Sequence, residues 1–257
     1  MSSINENIKN ITLKELCIVI IVLYLIYYVF NNFTIFHFKS TFIYIFIIAY
    51  FAFRLRKSFS DFKNDFLKVF SKDILKYVVL IVFLNIFFSY GMLYLSKWLL
   101  SVFPSLNYIV AFHLSSIYVN NSLTYIGGFA AVILVSPISE ELIFRGVILN
   151  RVKLFLPITV AVLVSALIFA CLHTYGAIIS AFVFGLCMAI LYLKTENIFV
   201  AIFAHFLNNL FAESIVHLDA GNVLFTNGSV MIAVSVLAVI SAILIFASLS
   251  KELNNLK

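Results

Sequence analysis

The chain of 257 residues is 64% hydrophobic, has only 11% charged residues and has a mean hydropathy of +1.13. Soluble globular domains are about half apolar and about a quarter charged, so this composition excludes that class and predicts an integral membrane protein. The net charge of +6 does not indicate a nucleic-acid-binding protein, because basic residues of membrane proteins usually set their orientation in the bilayer.

Apolar segments recur along the whole chain, and a transmembrane helix needs about 20 such residues. We find no internal repeat or linker, so we predict one all-α domain over residues 1–257, a polytopic membrane helix bundle with about eight transmembrane helices. It comprises N-terminal helices (about 15–96), a core (about 123–215) and a C-terminal helix (about 230–249). The predicted spans are 15–31, 38–54, 75–96, 123–150, 156–173, 177–193, 198–215 and 230–249.

The basic residues predict the orientation of these helices. With the N-terminus in the cytoplasm, only Lys39 and Lys97 of the 17 Lys and Arg residues fall outside, which fits the positive-inside rule. The apolar segment 98–121 would reverse everything downstream if it crossed the membrane, and the charge bias would almost vanish. We therefore place 98–121 on the outer face as an interfacial or re-entrant segment, with both termini cytoplasmic.

Ionisable residues inside the predicted spans require an explanation, because each costs about 2.5–3.5 kcal/mol or more on insertion scales. At 1.5 Å per residue, Glu140 lies about 20 Å from the cytoplasmic end of its helix and His173 about 25 Å. His205 and Asn209 lie about 12 and 18 Å deep in a third helix. Within the uncertainty of the boundaries, the three helices bring these side chains to one layer of the bundle.

The spacing of the polar residues distinguishes two neighbouring carboxylates. Glu141 and Arg145 are four residues apart and share a helix face, which also fits a plain intrahelical ion pair. Glu140 is rotated about 100° from Glu141 around the helix axis, so its side chain must face another helix of the bundle. His205 and Asn209 point the same way, and Phe169 stands one turn before His173.

One carboxylate with two imidazoles could bind a metal ion or activate water. A carboxylate in a dry site can serve as a general base at neutral pH, and an Asn amide with a second His could stabilise an oxyanion. The residues therefore point to hydrolysis of an amide by activated water.

Three short motifs carry a family resemblance. "EELIFR" fits EExxxR, "FACLH" fits FxxxH and "HFLNN" fits HxxxN, in that order. Over about 125–215 the chain resembles the CAAX-protease and bacteriocin-processing (CPBP) family of intramembrane proteases, also called the type II CAAX prenyl protease or Abi family. Each motif alone is weak, but all three in order, each in a predicted span, are specific.

The resemblance implies roles for the motif residues. Glu140 and His173 would activate water, His205 and Asn209 would form the oxyanion site, and Glu141, Arg145 and Phe169 would support them. We predict no cofactor, because the inward-facing set has one carboxylate and two His, and Asn is a poor zinc ligand. Zinc remains the alternative, and its ligands would be Glu140, His173 and His205.

The predicted function is that of an intramembrane endopeptidase acting on a membrane-associated peptide or protein, such as a pheromone or a bacteriocin leader, in a bacterial cell membrane. The expected partners are this substrate and the lipid bilayer, not nucleic acid. An alternative is a non-proteolytic membrane regulator or bacteriocin self-immunity protein with the same fold. A proton-coupled carrier is disfavoured because the chain lacks repeated halves.

Overall fold

The computed structural model describes residues 3–33, 41–103, 128–173, 177–219 and 221–255, and this part of the chain contains helices and no strand. The predicted all-α class is therefore confirmed. A 3₁₀ turn, Arg56–Ser58, joins two of the helices. In chain order the helices are α1 (Ser3–Lys9), α2 (Leu13–Phe33), α3 (Thr41–Leu55), α4 (Phe59–Lys68), α5 (Lys72–Val102), α6 (128–152), α7 (Ile158–Cys171), α8 (Ile178–Thr195), α9 (Ile198–Leu218), α10 (Val223–Thr226) and α11 (Gly228–Asn255).

Each of the eight predicted spans overlaps a described helix, namely α2, α3, α5 to α9 and α11. Residues 38–40 and 123–127 of these predicted spans lie outside the described residues. Five of the helices that the structure describes, α2, α5, α8, α9 and α11, are long and apolar enough to cross a membrane, and α7 is a shorter apolar helix. Helices suit this environment because they satisfy their backbone hydrogen bonds within the segment. The chain is therefore a multi-pass membrane protein.

The helix α5 is longer than predicted, since it continues to Val102. The first residues of the segment 98–121 thus extend a helix, because nothing in the sequence breaks it before Pro104. Lys97 lies in this extension and donates a hydrogen bond to the carbonyl of Phe225, 3.0 Å away. The rest of the predicted interfacial segment, 104–121, lies outside the described residues.

The helix α6, which carries the first motif, forms the centre of the bundle. Its α-helical stretch Ser136–Glu141 lies between two π-helical stretches, Ala131–Val135 and Leu142–Leu149. Every residue from 141 to 147 is buried, and α3, α7 and α9 pack around it. Departures from regular α-helix of this kind are frequent at functional sites. The sequence did not predict them.

The N-terminal helix α1 packs against the end of α6 that precedes α7. Ile4 and Ile8 of α1 are buried, and the Asn5 side chain accepts a hydrogen bond from the backbone N–H of Ile198. Arg151, at the end of α6, donates to the carbonyl of Ile11 at 2.7 Å. The sequence did not predict this helix because seven residues are too few for a periodic pattern.

The orientation can be tested with single cysteines. In a background whose native cysteines are replaced, we expect cysteines at positions 63, 151 and 194 to react from the cytoplasmic side, because the basic residues cluster there. The measurement is labelling of intact cells with a membrane-impermeant maleimide, with lysed cells as the control. Labelling at position 151 in intact cells would contradict the orientation.

Candidate active site

The four predicted catalytic residues meet in one cavity. It has a volume of about 300 Å³, and α5, α6, α7, α8 and α9 contribute to its wall. Glu140, His173, His205 and Asn209 all line it, as does Phe169. The three motifs, which are separated in the sequence, therefore contribute to one cavity of the bundle.

Glu140 faces this cavity with 14% of its side chain exposed. The hydroxyl of Ser136, one helical turn earlier, donates a hydrogen bond to Glu140 Oε1. The other oxygen, Oε2, lies 3.9 Å from His205 Nε2. Glu140 is thus held on one side by its own helix and faces an imidazole across the bundle.

Glu141 belongs to a different, fully buried group. Its Oε1 accepts from Arg145 Nη1 at 3.0 Å and from His205 Nδ1 at 2.7 Å, and neither Glu141 nor Arg145 is exposed. Arg145 also donates from Nη2 to the carbonyl of Gly185, 3.0 Å away. The pair predicted from the i,i+4 spacing is present, and it extends across the bundle to α8 and α9.

The contact with Glu141 orients the ring of His205. Because a carboxylate only accepts, Nδ1 of His205 carries the hydrogen, and Nε2 is turned towards Glu140. In the neutral ring Nε2 is an acceptor, so His205 can donate to an oxyanion only as an imidazolium.

His173 is fixed in a similar way, by a backbone group. Its Nδ1 lies 2.9 Å from the carbonyl oxygen of Phe169, which can only accept, so Nδ1 is the donor. The neutral ring therefore has its lone pair on Nε2. This tautomer suits a group that takes or relays a proton from water.

Phe169 contacts both imidazoles and the buried cation. Its ring centroid is 4.5 Å from that of His173 and 6.0 Å from that of His205, and the Arg145 guanidinium carbon lies 4.6 Å from it. The ring of Phe184 also contacts His205, at 4.8 Å. These aromatic side chains restrict the orientations of the two imidazoles.

Asn209 is anchored to the first π-helical stretch of α6. Its Nδ2 donates to the carbonyl of Val132 at 3.0 Å. A carboxamide nitrogen has two hydrogens, so one donor of Asn209 is still available to the cavity.

Several residues of the site were missed or undervalued in the sequence. Ser136 stands four residues before Glu140, so the i,i+4 rule could have found it. Glu213, which the sequence analysis did not single out, lines the cavity together with Asn208. Gly185 matters for its carbonyl and for close packing, since a Cβ there would come within 3.1 Å of Ala166. No sequence signal identifies which backbone carbonyl a buried Arg will contact.

Within the described residues there is no group of three His, Cys, Asp or Glu side chains arranged to hold a metal ion. Both imidazoles use Nδ1 for protein contacts, so Nε2 is the nitrogen of each ring that remains for another ligand.

Comparison with protein families supports the resemblance drawn from the three motifs. Residues 122–211 match the model of the type II CAAX prenyl endopeptidase Rce1-like family. The match contains all seven predicted site residues and covers about a third of the chain. No curated protein and no solved structure matches the chain significantly. This similarity supports a protease of the CAAX endopeptidase type.

Proposed function

We propose that this protein is an intramembrane endopeptidase in which Glu140 and His173 activate the water that attacks a peptide bond. The supporting observation is the difference between two adjacent carboxylates. Glu140 faces a cavity that His173 also lines, whereas Glu141 is enclosed by Arg145 and His205. A base must reach the reacting water, and of the two only Glu140 has that access.

In the proposed reaction, a water molecule between Glu140 and His173 loses a proton to the carboxylate as its oxygen attacks the scissile carbonyl carbon. The carbonyl π electrons move to the oxygen, and this oxyanion accepts hydrogen bonds from Asn209 and from the His205 imidazolium. When the C–N bond breaks, the proton held by Glu140 passes to the leaving nitrogen. No covalent intermediate with the protein is formed.

The substrate class is also part of the proposal. The cavity lies within the membrane-spanning bundle, so the substrate must present its scissile bond from a membrane-associated or membrane-spanning segment. A peptide pheromone or a bacteriocin leader of a bacterial cell has this property. Orientation with both termini in the cytoplasm is proposed from the basic residues.

The proposed function is tested by comparing the peptide termini of cells that express the wild-type protein with those of cells that express Glu140→Ala. A terminus present only with the wild-type protein, and generated from the corresponding peptide by purified enzyme, supports the endopeptidase. If the two cell types differ in phenotype but never in peptide termini, the protein acts as a membrane regulator or immunity protein instead.

Removal of metal ions tests the proposed absence of a cofactor. We expect the purified enzyme to keep its activity after chelation and dialysis, because the described donor set does not assemble a zinc site. The measurement is peptide cleavage together with metal content per chain. One zinc per chain, lost with the activity and restored with it, would contradict this expectation.

A further inference from the structure

A second cavity lies further along α5 and α8 than the candidate active site, towards Lys72 on α5 and Thr195 on α8. It has a volume of about 360 Å³ and is enclosed by α5, α8 and α11. Its walls are apolar, formed by side chains such as Leu80, Leu84, Ile190 and Ile245, and Asn85 and Cys187 lie at its deep end. None of the residues that line it is a predicted catalytic residue.

We propose that this second cavity, called the slot below, binds one acyl chain of an anionic membrane phospholipid. If an apolar cavity stays empty, its lining atoms lose van der Waals contacts, and a water molecule inside it has few polar groups to bind. In a bilayer, the phase that adjoins the cavity consists of hydrocarbon chains. Tyr77 and Leu80 line the slot and are about half exposed, so a chain can enter from the side.

The depth of the slot matches one leaflet. From Asp73 at the mouth to Asn85 at the deep end, α5 advances by twelve residues, or about 18 Å. Half of the hydrocarbon thickness of a typical bilayer is about 15 Å. A chain that begins at the mouth would therefore reach the floor near the middle of the membrane.

The mouth carries the charges that an anionic headgroup requires. Lys194 lines it, pairs with Glu252 at 2.7 Å and lies over the ring of Tyr77. Exposed lysines stand beside the lining residues on two of the helices, and these are Lys72, Lys76 and Lys251. By the same criterion the exposed Glu196 stands beside the lining residue Thr195. The mouth therefore has four lysines, Lys194 included, against three carboxylates, Asp73, Glu196 and Glu252. The positive-inside rule puts this end of the bundle at the cytoplasmic leaflet, where anionic lipids are enriched.

The test uses the purified protein in nanodiscs of phosphatidylglycerol mixed with phosphatidylcholine, followed by native mass spectrometry. We expect the wild-type protein to retain one phospholipid per chain, with phosphatidylglycerol preferred. Leu84→Trp and Ser248→Trp each place a larger side chain in the slot, from opposite walls. We expect each to lower the fraction of protein that retains a phospholipid about tenfold, which corresponds to about 1.4 kcal/mol. The matched control is Phe83→Trp, which introduces the same indole side chain at the position next to Leu84, where the side chain is exposed on the outside of the bundle.

Thermal unfolding of each variant distinguishes lost lipid from lost fold, and the comparison uses only variants that unfold cooperatively. Equal retention by the slot variants and by Phe83→Trp would overturn the proposal, as would a wild-type protein with no preference for phosphatidylglycerol. A farnesylated CAAX-type peptide serves as a competing probe. If it displaces the bound lipid, the slot belongs to the substrate and the proposal is wrong.

Discussion

Glu140→Gln should lower the rate of peptide cleavage by about 10²–10⁴-fold, the usual contribution of a general base. The amide cannot take a proton from water, so the attacking hydroxide would not form at neutral pH. Its carbonyl oxygen can still accept from Ser136, the hydroxyl that donates to Glu140 Oε1. We therefore expect the variant to insert and fold like the wild-type protein.

The measurement is single-turnover cleavage of one peptide by purified protein, normalised to the folded fraction. A matched control is Glu15→Gln, which removes a carboxylate that pairs with Arg54 and does not line the cavity. This variant should keep wild-type turnover. If Glu140→Gln also keeps it, Glu140 is not the base.

Arg145→Met should destabilise the bundle by about 3–5 kcal/mol, because it leaves a buried carboxylate without its guanidinium. Arg145 is fully buried, and it links Glu141 of its own helix to the carbonyl of Gly185 on α8. Without it, Glu141 must either take up a proton or stay charged beside His205 alone. The carbonyl of Gly185 also loses its donor.

The loss of stability is measured by denaturant unfolding in detergent micelles, followed by circular dichroism. The double variant Glu141→Gln with Arg145→Met removes both charges and should recover part of the loss, since no uncompensated charge remains. A cost below about 1 kcal/mol for Arg145→Met, the range of exposed ion pairs, would contradict a structural role for this network.

The predicted positions of the helices agree with the structure because an uninterrupted apolar run in a membrane chain must be helical. Local spacing was equally informative, since the pairs Glu141–Arg145 and Phe169–His173 follow from i,i+4 geometry. The depth of each polar residue followed from the rise of the helix, and the four predicted catalytic residues do line one cavity.

Contacts between helices could not be predicted in the same way. The sequence indicated that the Glu140 side chain faces another helix. It did not indicate that His205 directs Nδ1 to Glu141 and Nε2 to Glu140. Such a choice depends on the rotation of each helix about its axis, and π-helical stretches in α6 change that rotation. The carbonyl of Gly185 was unpredictable for a related reason, because backbone acceptors have no residue-type signature.

The assignment of roles to the two adjacent carboxylates is the central claim, and it rests on the exposure of Glu140 to the cavity and the enclosure of Glu141. Its most direct test compares Glu140→Gln and Glu141→Gln on one peptide, with turnover normalised to folded protein. Asn209→Ala serves as the reference for a lost oxyanion donor, which typically costs about 10²–10³ in rate.

We expect Glu140→Gln to lose cleavage with its folded fraction intact. Glu141→Gln should lose mainly folded protein and retain measurable turnover in what folds, since Glu141 acts through Arg145 and His205. Near wild-type turnover in Glu140→Gln, together with loss of cleavage in folded Glu141→Gln, would show that the two carboxylates have been assigned in reverse.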